Sequence, residues 1–135
     1  MRFATPLICL LAVLSTQACT TTSSNLTEAI SRSPAVADIQ KSEALADDTE
    51  VFWGGSIIET KNSGANTTVK VLAKPLHRDG SPRTGDATLG RFLISFEGFL
   101  DPVVYAPGRM LTVTGSVVDR RVEMIDDHDL SLIHI

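Results

Sequence analysis

Apolar and polar residues alternate with a period of two along several stretches between Val51 and Asp119, and that period belongs to β-strands. Val51-Phe52-Trp53 leads through Gly54-Gly55 into Ser56-Ile57-Ile58-Glu59-Thr60. A glycine pair inside a strand pattern predicts a bulge or sharp bend, which lets a small sheet curl towards a barrel. Lys61 to Asn66 is rich in turn formers and predicts a hairpin. Thr67 to Lys74 follows, with Val69, Val71 and Ala73 on one face and Thr68, Lys70 and Lys74 mostly on the other, until Pro75 ends it. His77 to Leu89 is a long polar loop containing Gly80, Pro82 and Gly85. Gly90 opens a third strand with Phe92, Ile94 and Phe96 inward and Arg91, Ser95 and Glu97 outward. A fourth runs from Met110 to Asp119, setting Leu111, Val113 and Val117 against Thr112, Thr114 and Ser116. The expected fold is all-β, a small antiparallel curled sheet or OB-like barrel. Trp53, Phe92 and Phe96 are expected in its core.

A different pattern occupies the start of the chain. Met1 and Arg2 precede the apolar run Leu7 to Leu14, and small or polar residues Ser15 to Ala18 lead to Cys19. This is the layout of a secretory signal peptide, and the run is too short to span a bilayer. A cysteine at the cleavage point resembles the lipobox of bacterial lipoproteins, although Thr16 stands where the lipobox usually has Leu. The resemblance implies removal of residues 1–18 and thioether lipidation of Cys19. Thr20, where an Asp would favour inner-membrane retention, implies an outer-membrane address and outer-membrane lipid as partner. Residues 19–48 read as a tether, flexible or partly helical. Thr20 to Ser24 is its polar spacer, and Ser33-Pro34 is placed as N-cap and first helical position. Ala35, Val36, Ile39 and Leu45 form one apolar stripe if that helix is present.

Composition narrows the function. The chain of 135 residues carries 12 Lys/Arg against 16 Asp/Glu, a net charge of −4, with no basic stripe for nucleic acid. Cys9 leaves with the signal and Cys19 is committed to lipid, which excludes thiol chemistry in the mature domain. Asp126-Asp127-His128-Asp129 has the residue types of a metal site, but consecutive residues seldom converge on one cation, so a solvated acidic tail is expected. His77-Arg78-Asp79 has no accompanying nucleophile and reads as a polar loop. No phosphate loop, nucleophile elbow or zinc motif occurs. The expectation is no enzyme, no cofactor and no metal.

Phe99-Leu100-Asp101-Pro102-Val103-Val104-Tyr105 is the segment hardest to assign to a sheet, because apolar side chains crowd a stretch that Pro102 and Pro107 keep out of a central strand. Two readings stay open. In one, the segment closes the barrel with Phe99 and Tyr105 as plugs. In the other, Phe99, Leu100, Asp101, Pro102 and Tyr105 form an exposed lip for an envelope protein or an extended ligand.

These residues also carry a family resemblance. Phe52-Trp53-Gly54-Gly55, Pro75-Leu76, Gly90-Arg91-Phe92, Gly98-Phe99-Leu100-Asp101-Pro102, Tyr105, Gly108-Arg109 and Thr112-Val113-Thr114-Gly115 follow in one order. Together they resemble the Slp family of starvation-inducible outer-membrane lipoproteins of Gram-negative bacteria. The resemblance implies a lipid-anchored, non-enzymatic, envelope-supporting role in starvation, stationary phase or related stress. The alternative is an OB-like binding module for a cell-wall oligosaccharide or an envelope protein. The β domain is expected over 49–129. Family members continue here with another polar turn and an aromatic strand, and Arg120 to Ile125 reads as the start of that strand. Leu130-Ser131-Leu132-Ile133-His134-Ile135 can be encoded by CTG TCT CTT ATA CAC ATC, which resembles a transposon end used in sequencing-library preparation. Residues 130–135 are therefore expected to be a non-native tail on a domain cut near Asp129, with a closing strand missing and a sheet edge left unpaired.

Overall fold

The computed structural model describes residues 21–42, 48–125 and 128–134. Two helices, α1 (Thr21–Arg32) and α2 (Val36–Lys41), precede six strands. These are β1 (Glu50–Ser63), β2 (Asn66–Ala73), β3 (Arg91–Glu97), β4 (Met110–Ser116), β5 (Asp119–Ile125) and β6 (His128–His134). They form one sheet in the order β4-β1-β2-β3-β6-β5, curled into a half-barrel. Neighbours are antiparallel except β3 and β6, which run parallel over Arg91–Leu93. The all-β, curled and mainly antiparallel reading stands.

The curl is built around β1, which changes partners along its length. Glu50 to Ser56 pairs with β4, and Gly55 to Ser63 pairs with β2. The glycine pair lies at the hand-over, where the three backbones crowd together. A Cβ on Gly55 would sit 2.0 Å from the Leu72 carbonyl oxygen, and one on Gly54 would sit 2.8 Å from that of Leu111. The bulge falls later, between Ile57 and Glu59, so of the two expected devices, bulge or sharp bend, the glycine pair does not supply the bulge. The hairpin is present and tight, with Gly64 at φ +60° between Ser63 and Asn66.

One face of this sheet makes the core. Val51, Trp53 and Ile57 of β1, Val69, Val71 and Ala73 of β2, Phe92 of β3, and Val117 are buried together. Val36 and Ile39, one helical turn apart on α2, cover them. The Trp53 and Phe92 rings meet at 5.3 Å with a 56° tilt. Phe96 departs from the inward reading and is 45% exposed, because it lies near the end of β3 beyond the covered part of the sheet. Lys74 departs in the opposite sense: it is buried, and its ammonium donates to the Gly85 carbonyl at 2.6 Å.

The N-terminal segment is latched rather than merely attached. Ser33 was expected to cap a helix, but Ala35 is the N-cap of α2, without a side-chain cap bond. The Ser33 hydroxyl instead accepts the Phe52 N–H at 2.9 Å, and the Pro34 carbonyl accepts the Trp53 indole N–H at 2.7 Å. Helix α1 takes in Thr21 to Ser24, part of the expected spacer. Leu45 of the expected stripe lies outside the described residues. At the other end, β4 stops at Ser116 and Asp119 already belongs to β5, while Leu130 to His134 lie within β6.

Candidate functional site

The segment from Gly98 to Arg109 leaves β3, crosses the far end of the β1/β2 hairpin and enters β4. Polar residues of the hairpin hold its backbone. Asn62 donates its side-chain N–H to the Leu100 carbonyl at 3.0 Å, and Thr60 donates its hydroxyl to the Tyr105 carbonyl at 2.8 Å. Thr67, fully buried, donates to the Gly98 carbonyl at 2.7 Å, accepts the Leu100 N–H at 3.1 Å and lies against the Asn62 side-chain oxygen. Gly98 adopts φ +116° and donates its N–H to the Ala65 carbonyl at 2.7 Å.

Asp101 and Pro102 then wind the tip. The Asp101 carboxylate accepts the Val103 N–H at 2.8 Å, and its carbonyl accepts the N–H groups of Val104 and Tyr105 at 3.0 and 2.9 Å. Proline in the next position suits such a turn, because its fixed φ matches and it has no N–H to satisfy. Winding the chain this way sends its apolar side chains in two directions. Leu100 and Tyr105 pack against the core cluster. Phe99, Val103 and Val104 stand out, 73%, 78% and 55% exposed.

The two readings of this segment thus divide between its residues. Tyr105 is a plug, with Leu100 beside it, whereas Phe99 is not, and the outward surface includes Val103 and Val104. The pattern of apolar residues alone did not reveal Thr60, Asn62 and Thr67 as supports. Their signal was present as hydroxyl and amide side chains flanking a tight hairpin, but their partners lie more than thirty residues away.

His77-Arg78-Asp79 forms a closed loop of a different kind. The His77 N–H donates to the Ser81 carbonyl at 2.8 Å, and Asp79 accepts both the hydroxyl and the N–H of Ser81 at 2.6 and 3.0 Å. Those Ser81 bonds, the hydroxyl first, hold the Asp79 carboxyl below its ordinary range. The loop docks on the sheet through the Gly80 carbonyl, which accepts the Thr112 hydroxyl at 2.7 Å. The Asp79 carboxylate and the His77 backbone are thereby used for a turn.

A cleft of about 430 Å³ opens between α1 and the β1/β4 pair, with Arg32, Ser33, Glu50, Phe52 and Thr114 on its walls. Arg32 is engaged by Glu28 at 2.5 Å. Among the described residues no group of His, Cys, Asp or Glu side chains is arranged to hold a metal ion. Asp126 and Asp127 lie outside the described residues, as does Cys19. No described helix is long and apolar enough to cross a membrane.

Comparison with known proteins adds two findings. Residues 16–135 match a family described as "Outer membrane lipoprotein Slp family". The chain is also similar to "Uncharacterized lipoprotein YeaY" of Escherichia coli (strain K12), with 31% identity over 68 residues. That stretch is 50% of this chain and 35% of the relative, so the similarity spans about a third of that protein's length. No solved structure matches.

Proposed function

The chain belongs to the Slp family of outer membrane lipoproteins, and from that premise we propose that it is a lipid-anchored, non-enzymatic domain supporting the envelope in starvation, stationary phase or related stress. The observation that carries the anchor is sequence continuity: the family match begins at residue 16, just ahead of Cys19, and continues into the β domain. In this reading residues 1–18 are a cleaved signal peptide and the Cys19 thiol carries the lipid. A single acyl chain binds reversibly and several hold stably.

A recognition or support role fits the loop better than chemistry does. Its outward groups are apolar side chains, and its Asp101 carboxylate is occupied by a backbone N–H. The stress role itself rests on family resemblance. Metabolic labelling with palmitate tests the anchor: the wild-type chain should incorporate label and Cys19→Ser should not. Equal labelling of the two would contradict it. Survival of stationary-phase cells lacking the protein tests the role, with rescue expected from wild type and not from Cys19→Ser.

The cleft beside α1 favours a second reading, a binding module for a cell-wall oligosaccharide or a protein segment. Cell-wall glycan fragments that bind there would raise Tm with concentration, because ligand binding to the native state alone stabilises it. An unchanged Tm at saturating fragment would count against this version.

A further inference from the structure

We propose that β4 is a self-association edge, along which two copies of this chain pair their β4 strands antiparallel about a two-fold axis at Val113. The partner is a second copy, and the product is one sheet running through both half-barrels.

The open edge follows from the register. β4 stands at one end of the strand order, with β1 on one side and no described strand on the other. In β1, Phe52 donates its N–H to Ser33, and the Gly54 carbonyl accepts the Lys74 N–H, so both residues face away from β4. Val51, Trp53 and Gly55 therefore bond β4, through Gly115, Val113 and Leu111. The Val117 N–H on the Thr49 carbonyl continues the same phase. Met110, Thr112, Thr114 and Ser116 are left with backbone N–H and carbonyl groups directed to the open side. Among the described residues none of these groups has a backbone partner. Helix α1 packs on β1, and the cleft separates it from β4. The Thr112 hydroxyl is taken by Gly80, but on the face of the sheet and not at its edge.

β4 also lacks the devices that keep an edge from pairing. Met110–Ser116 contains no charged residue and no proline, and its register with β1 runs through without a bulge. Each of the other strands contains at least one Asp, Glu, Lys or Arg. The contrast is greatest with β5 at the opposite edge, whose sequence includes Asp119, Arg120, Arg121 and Glu123. One edge is guarded by charge and the other is open.

The strand is its own complement. Val113 is its middle residue, so a two-fold axis there overlaps the two strands fully. Met110 then lies opposite Ser116 of the second copy and Thr112 opposite Thr114, each open residue meeting an open residue. Facing threonines are a favourable cross-strand pair. The same operation joins two further features. Met110 is 44% exposed, and by alternation its side chain shares a face with Thr114 and Ser116. Those two residues line the cleft of about 430 Å³, whose other walls include Ala29 and Phe52. The two-fold carries the exposed Met110 of each copy to that cleft on the other, where a thioether suits an aromatic neighbour. An unrelated strand would have to supply such a side chain, whereas a second copy brings it.

The test is disulfide trapping of the full chain in isolated envelope membranes of cells that express it. Val113→Cys places two thiols opposite each other across the axis at a Cα separation of about 4.5 Å, which a disulfide spans. Cysteine is small and apolar enough to replace this half-buried valine. Arg109→Cys and Val118→Cys are the comparison. Both positions are exposed, yet the axis separates like residues there by roughly 27 Å or more at about 3.4 Å per residue. The unsubstituted chain gives the background from Cys9 and Cys19. Under mild oxidation Val113→Cys should yield a covalent dimer above that background, and the two flanking variants should not.

Adding Thr114→Pro to Val113→Cys removes an outward N–H while sparing the bonds to β1, so the dimer should be lost. Emission from Trp53, the single tryptophan, should stay unchanged and report an intact sheet. If the proline does shift that emission, Thr114→Lys replaces it as an edge charge, with the same expected loss. A Val113→Cys dimer no stronger than background, or equal linkage at all three positions, overturns self-association through β4. A dimer that survives both Thr114 variants overturns it too. Linkage of position 113 to a different envelope protein, identified by mass, overturns the second copy as partner.

Discussion

The two ends of β1 solve opposite problems. Near Trp53 the sheet is covered: α2 sets Val36 and Ile39 over Phe92, and the Ser33-Pro34 latch occupies the adjacent N–H groups. Near Thr60 the sheet is capped by a loop whose backbone is held at several points by hairpin side chains, yet three apolar side chains face water. Order at the first end comes from burial, and at the second mainly from hydrogen bonds supplied by the hairpin. A segment can therefore be firmly shaped and still expose Phe99. That combination is useful for contact with something outside the chain.

The sharpest way to break the covered end is Phe92→Ala. Phe92 has no exposed surface and packs at a tilt against Trp53, so its truncation should cost about 3–5 kcal/mol, read by denaturant unfolding. Gly55→Ala tests the hand-over in β1. The new methyl would collide with the Leu72 carbonyl, and separation of β1 from β2 should cost about 2–3 kcal/mol in the same assay.

Moving to the capped end, Thr67→Val keeps the shape and deletes the hydroxyl that joins Gly98 and Leu100. A loss of about 1–2 kcal/mol is expected, with faster amide exchange at Leu100 as the local sign. Phe99→Ser should change stability by less than about 0.5 kcal/mol, because the ring is already in water. A Tm drop as large as that of Thr67→Val would show that Phe99 is a plug after all.

The smallest effect belongs to the polar loop. The Asp79 carboxyl is lowered in the folded state, chiefly by the Ser81 hydroxyl, so its contribution is present above the unfolded pKa and fades as pH falls through the folded one. In an NMR titration the Ser81 amide should follow Asp79 and titrate below an unstructured aspartate. Ser81→Ala should return that midpoint towards the ordinary value.

Much of the sheet was legible because alternation reports burial directly. Val69, Val71 and Ala73 are inside as their spacing requires, and the hairpin turns where Gly64 and Asn66 predict. Alternation says nothing of where cover ends, which is why Phe96 was misread. It is equally blind to pairing across a distance, so the parallel contact of β3 with β6 was not foreseen. Nor does it register backbone contacts that a side chain can make instead of capping a helix, as Ser33 does. The candidate loop was visible as an apolar segment interrupted by proline. Which residues point out was not, because that depends on the Asp101 turn and on support from Thr60, Asn62 and Thr67.

The account depends most on attachment through Cys19, and the intact mass of the protein purified from outer membranes of its native host tests it directly. The predicted result is a mature chain beginning at Cys19 that carries a diacylglyceryl group and a further acyl chain. A chain that keeps residues 1–18, or begins at an unmodified Cys19, would contradict the anchor.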